Sequence, residues 1–380
     1  MLGWLVVNRA PEARSRLGVW AVAMLAALVL SAVTAEPAGA SIWAIQRAPA
    51  VAGAKDSVLQ SVSCTAAVAC IAVGGPDQRP GVMLAEGWDG SRWTVQPTPR
   101  PRGSIQSFLS GVSCVSESSC MAVGFAVDSN GAVRVVTTRW TGLSWALVPG
   151  AKGRRSIPSF LASVSCTSLT ECTAVGASEN RSGTFFPLVE RWNGSRWLVQ
   201  ATPRLPDSQL AGVSCASARA CTAVGDYAGV AELVEHWNGT RWSRDLRANL
   251  VSGESGLGAV SCTSPTSCAA GGALMIPSMI TWPLLETWAG SRWSAEPTRG
   301  QPPGVVYGVS CTSRTACTAV GEDSLVEELK GDRWSIDRAP DPQDSTLYGV
   351  SCIGQRCVAV GSWIEPRGSE VPLVEWISSG

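Results

Sequence analysis

The stretch Gly308-Val-Ser-Cys-Thr-Ser-Arg-Thr-Ala-Cys-Thr-Ala-Val-Gly321 is one copy of a text that the chain repeats. GVSCVSESSCMAVG at 111–124 and SVSCTSLTECTAVG at 163–176 are two more. Downstream of each comes a second block, as in PLVERWNGSRW (187–197), AELVEHWNGTRW (231–242) and PLLETWAGSRW (283–293). The 14 cysteines form seven pairs: Cys64/Cys70, Cys114/Cys120, Cys166/Cys172, Cys215/Cys221, Cys262/Cys268, Cys311/Cys317 and Cys352/Cys357. First cysteines recur at intervals of forty-one to fifty-two residues. Such a period belongs to propeller blades or to helical arrays.

Strand chemistry decides between the two. Each copy reads as four short runs of Val, Leu, Thr and Trp bounded by Ser, Gly, Asn or Pro. In the third copy these are Leu161 to Cys166, a run opening at Cys172 to Gly176, Pro187 to Trp192, and Trp197 to Ala201. Asn193-Gly194 supplies the positive φ angles of a tight hairpin, as Asp89-Gly90 and Asn238-Gly239 do elsewhere. No helical periodicity persists for three turns beyond the N-terminal segment. The expected fold is all-β, a seven-bladed β-propeller of four-stranded antiparallel blades occupying residues 41–380 as a single domain.

The ends of the chain predict how the ring closes. The last copy stops at Leu373-Val374-Glu375-Trp376, without a fourth strand. Ser41-Ile-Trp-Ala-Ile-Gln46 followed by Pro49 matches the fourth-strand text Trp334-Ser-Ile-Asp337 followed by Pro340. The N-terminal strand should therefore complete the last blade, leaving no open sheet edge between first and last copies.

Residues 1–40 read as a targeting segment. Arg9, Arg14 and Arg16 precede an apolar run from Leu17 to Val33, and small residues follow at Val33-Thr-Ala35 and Ala38-Gly-Ala40. The segment is a signal peptide cleaved after Ala35 or Ala40, or a retained membrane anchor; the sequence leaves these open. Export to a secreted or cell-envelope location follows either way. With 30 basic and 30 acidic side chains the net charge is zero, which offers no footprint for nucleic acid or an anionic membrane surface.

The VSC…C.AVG repeat resembles secreted repeat proteins of actinobacterial type. The E-x-W-N-G-x-x-W block resembles the Asp-box turns of sialidase-like propellers and the W-D-G-x-x-W repeats of bacterial propeller lectins. The resemblance implies an architecture across nearly the whole mature chain; function it leaves to individual sites.

Each cysteine pair is expected to be a local disulfide between facing strand residues about 4.5–5.5 Å apart at Cα. Closing so short a loop, each bridge should stiffen its own blade without holding blade to blade. The spacing is not CxxC and the chain has one histidine, His236, so no metal site and no cofactor is expected. The tryptophan pairs Trp88/Trp93, Trp140/Trp145, Trp192/Trp197, Trp237/Trp242 and Trp288/Trp293 should pack blade on blade. Glu86, Glu190, Glu235, Glu286, Glu327 and Glu375 share one repeat position, and Arg92, Arg196, Arg241, Arg292 and Arg333 are their expected cross-strand partners. A glycosidase needs two carboxylates converging on one bond, whereas these are spread around a ring, so no catalytic residue is assigned.

One asymmetry points to function. From the AVG glycine to the glutamate the chain takes six residues after Gly321 and fourteen after Gly176, and the link into the next blade varies too. Both connections leave an up-and-down blade on the same face, where repeat proteins place recognition. The loops are Gly75–Val82, Phe125–Val133, Ala177–Phe186, Asp226–Ala231, Ala273–Trp282 and Ser362–Val371. Within them Tyr227, Trp282 and Trp363 are candidate ligand-face residues outside the repeated positions. The expected role is a non-enzymatic, lectin-like binding module, monomeric, for a cell-surface glycan or protein. The alternatives are a sialidase-like hydrolase or lyase and a purely structural envelope protein.

Overall fold

The computed structural model describes residues 42–378 apart from 47, 50–55, 77–81, 152–156, 247–250, 252, 297–301, 338, 341 and 343. Residues 1–40, read from the sequence as a targeting segment, lie outside these residues. Seven four-stranded antiparallel sheets form seven blades, at 57–95, 104–148, 159–200, 208–244, 254–296, 306–336 and 345–378. The chain is a β-propeller, as its repeat predicts. In blade 3 the strands are Ser159–Ser168, Glu171–Glu179, Phe185–Trp192 and Trp197–Gln200, each within three residues of its sequence-based bounds. The fourth strand of blade 7 is Ile42–Gln46, paired antiparallel with Glu370–Ser378 from Ile42 opposite Ser378 to Gln46 opposite Val374.

Each letter of the repeat has a physical job. All seven cysteine pairs are bridged within their own hairpin, with Cα atoms 3.9–4.0 Å apart. That is closer than the expected spacing, because each pair faces across the strands right at a tight turn. The valine before them, as at Val62, Val112 and Val164, is buried in the core. The serine between valine and cysteine reaches the next blade. Cys114 N–H donates to Ser63 Oγ at 3.0 Å, Cys166 to Ser113 at 2.9 Å and Cys215 to Ser165 at 3.0 Å. Cys262 donates to Ser214 and Cys311 to Ser261 at 2.9 Å, and Cys352 to Ser310 at 3.0 Å.

The bridges do more than the expected stiffening of single blades. The second cysteine of each pair, at Cys70, Cys120, Cys172, Cys221, Cys268, Cys317 and Cys357, is only 3–6% exposed. Each belongs to a core cluster shared with the preceding blade. Cys70 lies with Val360 and Val374 of blade 7, Cys221 with Val175 and Val189, and Cys268 with Val224 and Val234. Cys317 lies with Ala269 and Leu285, and Cys357 with Val320 and Val326. Three of these sulfurs also meet a threonine hydroxyl of that blade: Cys221 at Thr173 and Cys268 at Thr222, both 3.8 Å, and Cys357 at Thr318, 3.4 Å. The expected local closure stands, and packing between blades is a further role of these cysteines that their spacing did not reveal. Covalent closure is local, but the second sulfur is part of the packing between blades. Register is the reason, since Cys221 stands directly opposite Trp237, and Cys268 opposite Trp288, on the sheet face turned to the preceding blade. These cysteines are core residues and offer nothing to a ligand.

The AVG glycine answers a bulge. In every blade the innermost strand carries a register shift three to five residues before the cysteine, as between Leu161 and Ser163. The bulge swings a carbonyl against the second strand, so a Cβ on Gly176 would sit 2.1 Å from the Phe160 oxygen, which no side chain can do.

The tryptophans divide their work. The second of each pair is buried between blades: Trp145 packs with Val73, Met83 and Ala85 of the preceding blade. The first closes the disulfide hairpin, as where Trp192 Nε1 donates to the Leu169 carbonyl at 3.3 Å. Their rings lie 5.5–5.8 Å apart in all five pairs. Asn193 Oδ1 accepts from Ser195 N–H and Oγ–H and from Arg196 N–H, which sets the third-to-fourth hairpin, with Gly194 at a φ of 89°.

The glutamate–arginine pairing expected from the sequence does not form. Glu86, Glu190, Glu235, Glu286, Glu327 and Glu375 are at most 1% exposed, while Arg92, Arg196, Arg241, Arg292 and Arg333 are all on the surface. Register is again the reason. The fourth-strand residue opposite each glutamate is the one two places after the tryptophan: Val95, Val199, Arg244, Ala295, Ile336 or Ile45. The arginine before the tryptophan is caught in the hairpin turn and points outward.

Candidate functional site

The two ends of the propeller differ in kind. One end carries the disulfide hairpins and the third-to-fourth hairpins, repeated with little change from blade to blade. The other carries the second-to-third turns and the interblade links, and there the copies diverge. Asn180 organises one of these turns, its Oδ1 accepting from Ser182 and Thr184 N–H. Asp128 does the same for Asn130 and Ala132.

The variable end holds all three candidate aromatics, but in strand ends rather than loops. The strands run further than the sequence suggested, to Tyr227 and Ile364 on second strands and from Thr281 on a third. Tyr227 and Trp363 are therefore equivalent, each opposite the first serine of its innermost strand, Ser208 and Ser345. Trp282, opposite Leu274, takes the place that Phe186 holds opposite Ser178 in blade 3. All three are half-buried. Trp363 packs against the core between blades 6 and 7, and Tyr227 carries the Arg244 guanidinium 5.5 Å above its ring. They sit in blades 4, 5 and 7 and do not converge.

A different pair does converge. Tyr307 and Tyr348 are the bulged residues of the innermost strands of blades 6 and 7, with ring centroids 5.4 Å apart at 55°. The other five copies place Gln60, Ser110, Ala162, Ala211 and Gly258 there. The Glu322 charge acts on both phenols and the Glu370 charge on Tyr348, whose hydroxyl bonds Ser362 and Thr346. Burial, then these carboxylates, raises the pKa of both phenols above the ordinary tyrosine range. The seam beneath is stitched twice: Glu322 and Thr346 form a β-bridge, and the buried Ser324 and Ser345 hydroxyls lie 2.7 Å apart. A signal for this pair was present, since the chain has only three tyrosines and two stand at one repeat position.

His236 is structural in setting. Its Nδ1 lies 3.1 Å from Thr222 Oγ1, its Nε2 lies 3.4 Å from Asp245 Oδ2, and its ring meets Trp288 of the next blade at 5.2 Å. Arg191 occupies the same repeat position and covers Trp237 in the same way at 5.2 Å. The buried Glu232 and Glu286 influence each other across the interface between blades 4 and 5, where neither is open to substrate. Among the described residues no group of three or more His, Cys, Asp or Glu is placed to hold a metal ion, and no helix is long and apolar enough to cross a membrane.

No protein-family model and no curated protein matches the chain. Solved structures do. The chain is similar to YCF48 bound to a D1 peptide, with a TM-score of 0.56 at 10% identity over 89% of this chain and 96% of that one. The WD40 propeller domain of Doa1 aligns with a TM-score of 0.57 at 12% identity, covering 89% and 97%. YCF48 from Cyanidioschyzon merolae aligns with a TM-score of 0.55 at 14% identity, covering 88% and 98%. At such identities the likeness is one of fold, and the fold shared along nearly the full length of each is the β-propeller.

Proposed function

We propose that this chain is an exported, non-enzymatic binding module that takes a protein or glycan of the cell surface on its variable end. One observation carries the reading: the residues that depart from the seven-fold repeat gather on that end, while the opposite end repeats itself. Structural residues must recur in every blade, because every interface needs them; recognition has no such need. Seven disulfides suit an oxidising, extracytoplasmic compartment. The YCF48 structure, a propeller of the same type, holds a peptide, which favours a protein ligand over a glycan.

The test is a glycan array run beside an envelope-protein pull-down with the purified protein. Replacing the turns 180–184 and 365–369 by Gly-Ser segments of equal length should abolish retention of the ligand. Replacing Arg196 and Arg241 on the opposite end should leave it intact. The reverse pattern would move the binding face, and turnover of any glycan on the array would overturn the non-enzymatic reading.

A further inference from the structure

We infer that the repeat end, with its disulfide turns and third-to-fourth turns, is a docking surface for an anionic lipid bilayer, so that the variable end faces away from the membrane. The inference goes beyond the binding face proposed above and does not rest on it.

Turn length and turn type repeat on this end, but the outermost side chains divide it into two arcs. The two turns of one blade lie side by side: a Cβ on Gly90 would sit 2.9 Å from Val68 Cβ, and one on Gly239 would sit 3.2 Å from Arg219 Cβ. Blades 7, 1, 2 and 3 are consecutive around the ring. Their turns present Ile353, Val68, Leu143 and Leu169, which are 40%, 53%, 92% and 51% exposed. A single exposed apolar side chain is ordinary, but one at a turn of each of four neighbouring blades makes an apolar rim. The turns of this arc balance three arginines, Arg92, Arg196 and Arg356, against three acids, Asp89, Glu117 and Glu171.

Blades 4, 5 and 6 are basic instead. Arg219, Arg241, Arg292, Arg314 and Arg333 are all exposed at their turns. Lys330 and Asp332 are the other charged turn residues there, and Lys330 is bridged to Glu328. The zero net charge of the chain conceals this arc, because many of the balancing acids never reach the surface. Glu86, Glu190, Glu235, Glu286, Glu327 and Glu375 are at most 1% exposed.

Together the two arcs have the chemistry of a bilayer contact. Arginine forks match lipid phosphates, and each cation close to an anionic leaflet adds to affinity. Leucine, valine and isoleucine tips are stabilised by leaving water for the acyl boundary. A soluble polyanion would engage the basic arc and leave the apolar rim in water. The course of the chain agrees. Ile42 stands opposite Ser378, where other blades have their third-to-fourth turn, so the chain joins the propeller at this end. Residues 34–41 separate Ile42 from the apolar run Leu17 to Val33, and fully extended they span at most about 28 Å. A retained anchor would hold this end toward the membrane, and a cleaved one would leave the turns to dock alone.

Residues 41–380 contain every strand of the closed ring and are tested without the apolar run. The probes are vesicles of one part phosphatidylglycerol to two parts phosphatidylcholine, vesicles of phosphatidylcholine alone, and soluble polyphosphate. The protein should sediment with the first vesicles and stay in solution with the second. Arg219→Gln/Arg241→Gln/Arg314→Gln should weaken binding at least about tenfold, since each cation near an anionic leaflet is worth about fivefold. Leu143→Ser/Leu169→Ser should weaken it at least about threefold. Arg102→Gln/Arg181→Gln/Arg367→Gln removes the same charge from the variable end and should change nothing. All these sites are exposed, so an unchanged melting temperature reports an intact fold. On vesicles, amide exchange should slow in the turns 141–144 and 238–241 and stay fast at 180–184. Absence of binding to phosphatidylglycerol vesicles, an equal loss in the variable-end triple variant, or protection at 180–184 instead would overturn the inference. Native binding by the leucine variant, with polyphosphate competing fully, would make the end a polyanion site and overturn the bilayer assignment.

Discussion

The backbone N–H of Cys64 donates to Ser351 Oγ at 3.0 Å, joining residues 287 apart across the seam between the first and last blades. It is the seventh bond of a circle, since the same contact links every other neighbouring pair of blades. The ring is thus closed twice: at its inner rim by this serine and at its outer rim by the Ile42–Gln46 strand.

Ser351→Ala should leave the Cys64 N–H without its acceptor and cost about 1–3 kcal/mol. Ser165→Ala, the same change away from the seam, should cost a similar amount, because the seam uses the same bond as the other interfaces. Urea unfolding with the disulfides intact measures both. A Ser351→Ala variant as stable as the parent would show that the inner rim is not closed by this contact.

Trp43 is 3% exposed, packs between blades 6 and 7, and donates through Nε1 to Asp337 Oδ2 at 3.2 Å. Trp43→Ala should cost about 3–5 kcal/mol, as for a fully buried large aromatic. Deleting residues 42–46 should lower the unfolding temperature further, since the exposed edge of blade 7 loses its pairing as well. Calorimetry of both variants against the parent reads the outcome; an unchanged melt in either would refute outer closure.

Burial pushes the carboxyls of Glu86, Glu235 and Glu286 up to about 8, with the Glu232 charge adding to the shift at Glu286 and the Arg244 charge opposing it at Glu235. The folded state therefore keeps protons that the unfolded chain releases near pH 4.5. Their stabilising effect is complete below that pH and is lost as pH rises through about 8. The melting temperature should fall between pH 5 and pH 9, and Glu86→Gln or Glu286→Gln, which mimic the neutral acid, should flatten that fall and melt higher than the parent at pH 9. A melting temperature independent of pH over this range would mean that these carboxyls are charged in the folded protein.

Trp363 packs against the core between blades 6 and 7, whereas Trp282 belongs to no core cluster among the described residues. Trp363→Ala should therefore destabilise by about 1–3 kcal/mol, and Trp282→Ala by less than about 1 kcal/mol. Measured beside ligand retention, the two variants separate packing from recognition. Equal losses of stability would remove Trp282 from consideration as a ligand contact.

What the sequence alone determined is whatever the repeat enforces. Seven blades, their four strands, the local disulfides and the strand exchange that closes the ring were legible because each interface needs the same valine, cysteine, tryptophan and glycine, so the requirement is written seven times. The repeat also made the AVG glycine visible, though not its cause; the carbonyl of the bulged strand, 2.1 Å from where a Cβ of Gly176 would be, appears only when two strands are placed side by side. Tertiary structure decided how the faces are shared. The pairing of Cys215 with Cys221 could be read from spacing, but that Cys221 turns its sulfur to blade 3 could not, because a sheet face acquires a neighbour only when the ring assembles. Spacing along the chain paired Glu190 with Arg196, but cross-strand register set Glu190 opposite Val199 and sent the arginine outward, because a hairpin fixes partners by counting back from its turn. It likewise brought the rings of Tyr307 and Tyr348, forty-one residues apart, against each other. Their shared repeat position was visible in the sequence, but their contact was not, because two copies of one position meet only when neighbouring blades are placed side by side.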